Sequence, residues 1–210
     1  MITESVLIDK VRALLNEVQT ENSVSLITDD TLQLDRYITE LLPEAVLFVQ
    51  MNKKSGVVNG KSHANCKISL WNGDFGVITL PDDYVRLVAL KLDNWQHACY
   101  NASQPGSLAD VAQTNRYTRA GRCSPVCVEV ASNEGVMLNV YPVEEDSIPV
   151  VEYLIYEGRY DGNKGLASKS DFLLQAVAYQ CAGLVCNVFE KYDAANAFLS
   201  LAAALCNNKQ

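Results

Sequence analysis

The stretch "GVITLPDDYVRLVALKLDNW", residues 76–95, decides the fold because it joins a turn to a long apolar strand. Pro81 has no backbone N–H to donate to a sheet, so it marks the point where the chain enters a strand. The side chains of Asp82 and Asp83 suit the turn that precedes this strand. Val85 to Leu92 has apolar residues at both alternating sets of positions, which predicts a central strand covered from two sides.

Neighbouring segments also show the two-residue period of β-strands. Residues 67–80, "KISLWNGDFGVITL", form two alternating runs around Asn72-Gly73, which predicts a hairpin. Residues 126–143, "VCVEVASNEGVMLNVYPV", predict a second hairpin, and residues 148–160, "IPVVEYLIYEGRY", predict a further strand. These strands place a mostly antiparallel β-rich region at residues 53–164.

The N-terminal segment has a helical period instead. Residues 3–19 carry apolar side chains at three- and four-residue spacing and charged ones between them, which predicts an amphipathic helix. A second helix is predicted in residues 28–42, with Thr28, Asp29 and Asp30 as candidate caps. Since proline is well suited to a first helical turn, Pro43 is expected to begin a separate short helix.

The C-terminal segment predicts two more helices. Ser168 and Asp171 resemble a capping box, and Gly183 lies among alanines that let a neighbouring helix approach closely. The final helix is expected at Ala194 to Cys206 and is apolar on almost every face, so it must be buried by its own chain or by a partner.

Helices, strands and helices thus follow one another along the chain. This order predicts an α+β fold in which the N- and C-terminal helices form a helical bundle with an inserted, mostly antiparallel β region. The expected domains are the N-terminal helices at 1–52, the β-rich region at 53–164, and C-terminal helices at 165–210 that pack with residues 1–52.

Composition narrows the classes of function. The net charge of −8 and the isoelectric point near 4.8 disfavour tight binding to phosphate backbones or anionic lipid. No apolar run reaches the roughly 18 residues that a membrane span needs, so we expect a soluble, unsecreted protein. The seven cysteines are an odd number scattered among apolar neighbours, which favours a reducing compartment.

Cysteine and histidine offer the main candidates for catalysis. His63 and His97 stand near Cys66 and Cys99 in sequence, an arrangement that suits a zinc ion or a Cys–His nucleophile. A small cysteine- or metal-dependent hydrolase is therefore the alternative function. The irregular spacings favour the plainer interpretation, in which the cysteines are small buried residues, the histidines lie at the surface, and no cofactor or metal is bound.

Two short motifs give the chain a resemblance to a known family. The first is a "LP-x-D/E-[FY]-x-R" segment that enters a strand, and the second is "YP" followed by a "v-x-Y" strand. The matching residues are Leu80, Pro81, Asp83, Tyr84 and Arg86 for the first, and Tyr141, Pro142, Val151 and Tyr153 for the second. With the helices at both ends, they resemble the head-tail connector proteins of tailed bacteriophages, in particular the adaptor or tail tubular A type.

The resemblance implies a structural protein of the virion without enzymatic activity. Members of this family form a ring of about twelve copies below the portal protein and dock the next tail component, while genomic DNA passes through the lumen without specific binding. The expected location is the head-tail interface, after assembly in the cytoplasm of the bacterial host, with no membrane involved. The C-terminal helix is implied to contact the portal through Ala197, Phe198, Leu201 and Leu205. Residues 97–125 match no feature of the family.

Overall fold

The computed structural model describes residues 2–21, 30–54, 56–63, 66–71, 75–133, 135–143, 148–162, 165–166 and 170–207, with the side chains of 16–21 and 30–32 left aside. The chain forms two compact units. The helical unit consists of Met1–Asn59 and Arg159–Gln210, and the β unit consists of Gly60–Gly158.

Five α-helices and eight β-strands lie within the described residues. The helices are α1 (Glu4–Glu21), α2 (Asp30–Asn52), α3 (Leu108–Val111), α4 (Asp171–Val188) and α5 (Tyr192–Asn207). The strands are β1 (Gly60–Ser62), β2 (Ser69–Trp71), β3 (Phe75–Thr79), β4 (Tyr84–Leu92), β5 (Ala102–Ser103), β6 (Val126–Ser132), β7 (Gly135–Tyr141) and β8 (Val151–Gly158). None of the described helices is both long enough and apolar enough to cross a bilayer.

The helical unit is built around one hydrophobic core to which α1, α2, α4 and α5 all contribute. Leu7, Leu42 and Leu174 are among its fully or almost fully buried members. Arg12 of α1 also forms an ion pair with Asp35 of α2. The predicted first helix is confirmed by α1. The proposed cap residues 28–29 and Ser168 lie outside the described residues.

The predicted break at Pro43 is wrong, because Pro43 lies inside the continuous helix α2. An interior proline removes one backbone hydrogen bond and costs about 3 kcal/mol. Ala45, Val46 and Val49, just beyond it, are 0% exposed and extend the buried stripe of the preceding turns. Burial of this stripe outweighs the local preference of proline for a first turn.

The β unit contains two sheets that share a second hydrophobic core. A three-stranded sheet has the order β1-β8-β4, and a five-stranded sheet has the order β2-β3-β7-β6-β5. All neighbouring strands are antiparallel except β5 and β6, which are parallel. Ile78 and Leu138 from the larger sheet and Leu90 and Leu154 from the smaller one belong to the same core cluster.

The predicted hairpins are confirmed by the pairing of β2 with β3 and of β6 with β7. The Asn72-Gly73 turn lies outside the described residues. The predicted fold class, however, is wrong. The structure is an α+β fold with extensive sheets, and a helical bundle with a β insertion is not what it shows. The strands form two sheets with a core of their own, so the β residues are a compact unit and not an addition to a bundle.

The position of β4 also differs from the prediction of a central strand. It lies at the edge of the smaller sheet, and β8 occupies the centre. Cys99 pairs with Leu90 of this edge strand through an isolated antiparallel bridge. Leu87, Leu90 and Leu92 all belong to the core. In a regular strand Leu87 and Leu90 would face opposite sides of the sheet, because they are three residues apart. A register shift between Leu87 and Ala89 explains why both belong to the core, because a bulge changes which side chains face the core.

Candidate functional site

The first motif surrounds the turn that leads into β4. The backbone N–H of Tyr84 donates to the carbonyl oxygen of Pro81 at 2.9 Å and closes this turn. Asp83 accepts two side-chain hydrogen bonds, from Lys61 Nζ at 2.5 Å and from the Tyr156 hydroxyl at 3.0 Å. Because Lys61 belongs to β1 and Tyr156 to β8, this one carboxylate connects the β4 entry to both other strands of its sheet.

Tyr84 connects the two sheets of the β unit. It is 7% exposed, and its hydroxyl donates to Glu129 Oε2 on β6 at 3.2 Å. Its ring stacks on that of Tyr156 with centroids 6.0 Å apart. Burial, followed by the nearby Glu129 charge, raises the pKa of Tyr84, and burial raises the pKa of Glu129. Both effects keep this pair of groups protonated to higher pH than in water.

Arg86 pairs with a fully buried carboxylate. Glu157 on β8 is 0% exposed, and its Oε2 lies 3.3 Å from Arg86 Nε. The two residues are also direct partners in the β4–β8 register. The sequence reasoning missed Glu157, Lys61 and Glu129. One signal was present for Glu157, since it is an acid placed within the apolar run of a predicted strand.

The contacts of Asp83 set its electrostatics. Burial raises the pKa of Asp83, but the hydrogen bonds from Lys61 and Tyr156 and the Lys61 charge outweigh burial, so the pKa lies below its ordinary value. Burial and the same hydrogen bond raise the pKa of Tyr156 to about 12. Asp83 is therefore a carboxylate held ionised by its neighbours, which suits a structural role better than proton transfer at neutral pH.

Acid is expected to weaken the β unit through Asp83. An acid whose pKa is lower in the folded state stabilises the fold above its unfolded pKa of about 3.9, and this contribution is lost as the pH falls through the folded value. We therefore expect Asp83→Asn to destabilise the β unit at pH 7 and to approach the wild type as the pH falls towards about 3. Urea unfolding at several pH values measures this difference.

Asp82→Asn is the matched control, because the adjacent Asp82 side chain is exposed. This variant is expected to follow the wild-type profile. A constant difference between Asp83→Asn and the wild type from pH 7 to pH 3 would contradict the role given to the Asp83 charge.

The second motif is also engaged in contacts within the β unit. The Pro142 carbonyl oxygen accepts a hydrogen bond from Trp95 Nε1 at 3.0 Å, and the Tyr141 ring lies 5.3 Å from that of Phe75. Val151 packs against the core, and Tyr153 is 38% exposed. Of the two motifs, only Tyr153 thus presents a large exposed hydrophobic side chain.

The structure does not bring the predicted Cys–His pairs into hydrogen bonding within the described residues. Cys99 is buried, and its Sγ donates to the Asn101 carbonyl oxygen at 3.1 Å. A hydrogen bond with Cys127 lowers the pKa of Cys99 to about 7, and the same contact with burial raises that of Cys127. Across the described ranges, no three His, Cys, Asp or Glu residues form a group able to hold a metal ion. The cysteines in these ranges are free thiols.

The four predicted portal-contact residues divide between core and surface. Phe198 is 8% exposed and stacks on Tyr179 with centroids 6.0 Å apart. Leu205 packs against the same core, whereas Ala197 is exposed and Leu201 is 47% exposed. Only Ala197 and Leu201 are therefore placed to meet a partner while the helical unit stays folded.

Models of known protein families and the curated proteins contain no match to this chain. The function is therefore inferred from the motif residues and their contacts.

Proposed function

We propose that this protein is a structural component of a bacteriophage head-tail connector. It assembles into a ring of about twelve copies below the portal protein, docks the next tail component and acts by assembly alone. The observation that carries this proposal is the use of the first motif. The side chains of Asp83, Tyr84 and Arg86 each contact a side chain on another strand of the β unit, so the motif that resembles the connector family acts as a structural junction.

Exposed apolar side chains support an assembling protein. A closed ring uses heterologous contacts, which require two different adhesive surfaces on each subunit. Large hydrophobic side chains are exposed in both units, and exposed apolar groups are typical of interaction sites. They include Phe172, Tyr192 and Leu201 in the helical unit and Trp71, Tyr100, Leu108 and Tyr117 in the β unit.

The charge of the chain supports a channel for DNA. A subunit with a net charge of −8 repels phosphates at distances up to the Debye length of about 8 Å, so a ring of such subunits lets DNA slide without gripping it. A ring whose lumen proved predominantly basic would overturn this part of the proposal.

Portal binding is assigned to the exposed side of α5. Helix α5 contains a single charged residue, Asp193, and exposes Ala197 and Leu201. Truncation of residues 194–210 would also remove the buried side chains of Ala195 and Phe198, so a surface substitution tests the contact more cleanly. We expect Leu201→Glu to weaken portal binding at least about tenfold, because it places a charge in an apolar contact.

The test is sedimentation velocity of the full chain, alone and mixed with the portal protein of the same phage. Met51→Glu is the matched control, since Met51 is 63% exposed and lies on α2. The wild type and Met51→Glu are expected to join the portal as a ring, and Leu201→Glu is expected to remain free. A wild type that stays monomeric with the portal, or a hydrolase activity that His97→Ala abolishes, would overturn the proposed function.

A further inference from the structure

Residues 104–125, here called the 104–125 loop, connect β5 to β6. These two strands are parallel neighbours, and parallel neighbours need a long crossover. Such a crossover usually packs against its sheet and buries an apolar face. Here, none of residues 100–126 is buried, and α3 and the short 3₁₀-helix that follows it contribute nothing to a core. The topology therefore explains the length of the loop but not its composition.

The 104–125 loop is shaped by its own hydrogen bonds. Gln113 links two of its turns, because its Nε2 donates to the Ala109 carbonyl oxygen at 2.6 Å and its Oε1 accepts from the Ala120 N–H at 2.9 Å. The Thr118 hydroxyl donates to the Ala112 carbonyl oxygen at 3.0 Å. A long loop held in this way is typical of binding loops, since its surface is ordered before a partner arrives.

The side chains on this loop have the composition of a protein interface. Leu108 is 90% exposed, Val111 56% and Tyr117 94%. Arg116 and Arg119 lie beside them and are also exposed. Tyrosine and arginine are enriched at interface hot spots, whereas a large aliphatic side chain exposed to this degree is unfavourable in water.

The charge of the loop is opposite to that of the remaining chain. The loop contains Arg116, Arg119 and Arg122 and one acid, Asp110, so its net charge is +3 − 1 = +2. The whole chain carries −8, so the remaining residues carry −8 − 2 = −10. The remaining residues of a second copy therefore carry a net charge opposite to that of the loop, which favours attraction between the loop and a second copy of this chain.

We propose that the 104–125 loop docks onto an acidic surface of a second copy of this chain. This inference rests on the proposed function and identifies one of the two surfaces that a ring requires. Nucleic acid is the less suitable occupant. The loop exposes the apolar side chains of Leu108 and Val111 as well as its arginines, and an acidic chain disfavours a polyanion.

Two double variants of the full chain test the loop. Arg116→Glu/Arg119→Glu reverses two exposed charges, and Leu108→Ser/Tyr117→Ser removes two exposed apolar side chains. The matched control is Lys54→Glu/Lys67→Glu, which changes the net charge of the chain equally at exposed lysines outside the loop. Circular dichroism verifies that each variant is folded, as is expected because the replaced side chains are exposed.

Self-association is measured by sedimentation velocity over a range of concentrations, with and without the portal protein. Both loop variants are expected to weaken it at least about tenfold, and the lysine control is expected to resemble the wild type. In a second measurement, p-benzoylphenylalanine in place of Tyr117 is expected to form a photo-crosslink to a second copy.

The outcomes separate this inference from the proposed function. A wild type that never assembles, even with the portal, overturns both. Wild-type assembly that the loop variants leave unchanged, or a crosslink to the portal alone, overturns only the docking of the loop on a second copy. Binding of a fluorescent DNA duplex that Arg116→Glu/Arg119→Glu abolishes while self-association persists would assign the loop to nucleic acid instead.

Discussion

Arg86→Leu is expected to lower the free energy of unfolding of the β unit by about 2 to 3 kcal/mol at pH 7. The substitution removes the positive charge that lies 3.3 Å from the fully buried carboxylate of Glu157. Breaking a buried ion pair from one side typically costs about 3 to 5 kcal/mol, and a loss at or below the lower end of this range is expected here because the Arg86 side chain is 30% exposed. Adding Glu157→Gln is expected to restore part of the loss, since the buried side chain that has lost its pairing with Arg86 is then uncharged.

The matched control for this pair is Lys91→Leu on the same two strands. Lys91 Nζ lies 2.9 Å from Glu152 Oε2, but the Glu152 side chain is 43% exposed, so the variant is expected to cost less than about 1 kcal/mol. Urea unfolding followed by tryptophan fluorescence measures both variants. Both tryptophans, Trp71 and Trp95, lie in the β unit, so the signal reports its unfolding. Equal losses for Arg86→Leu and Lys91→Leu would contradict the importance given to burial.

Gly76→Ala is expected to destabilise the β unit by about 2 kcal/mol. A Cβ atom at Gly76 would lie 2.5 Å from Ile68 Cγ2 and 2.9 Å from the Cγ2 atoms of Val140 and Val143. These three side chains are buried, and β-branched side chains have few alternative rotamers. The added methyl group therefore forces the segments that carry Ile68, Val140 and Val143 to shift.

Gly121→Ala is the matched control for this substitution. A Cβ at Gly121 would meet no atom within 4 Å, and its φ does not lie in the left-handed region. Restricting the unfolded chain is then expected to stabilise the protein slightly, by up to about 1 kcal/mol. The same urea titration compares the two variants. A loss of similar size at both positions would show that crowding at Gly76 is not the cause.

The two substitutions test different properties of the same stretch. Gly76 allows β3 to lie close to its neighbours, and Arg86, on the strand that follows the Leu-Pro-Asp-Asp-Tyr turn, pairs with the buried Glu157 on the adjacent strand β8. If both behave as expected, the turn and the strands on either side of it are confirmed as a structural junction. The functional surfaces then have to be sought elsewhere, on α5 and the 104–125 loop.

Local patterns in the sequence were sufficient for most individual elements. The helical spacing of apolar residues predicts α1, and the alternation of apolar residues predicts β6 and β7. These patterns are clear because the apolar side chains of each element face a single core. The turn at Pro81 was also predictable, since proline restricts the backbone at that residue whatever surrounds it. Such features depend on residues within a few positions of one another.

Several features of the fold and the candidate site depend on distant residues instead. Pro43 remains helical because its neighbours are buried against α4 and α5, and Glu157 is tolerated because Arg86 faces it from another strand. The division of eight strands into two sheets is likewise a matter of pairing between segments far apart in the chain. The apolar residues on both faces of β4 predict a central strand, but the pattern along one strand does not determine which strands lie beside it, and β4 lies at a sheet edge.

Helix α5 shows most clearly what the sequence by itself determined and what required the tertiary structure. The sequence determined that this segment is helical and that a largely apolar helix has to be covered. Because nearly all of its faces are apolar, its period does not distinguish the core side from the outer side. Packing against α4 decides this, since it buries Phe198 and leaves Leu201 exposed, and contact with the rest of the fold is the only source of that asymmetry.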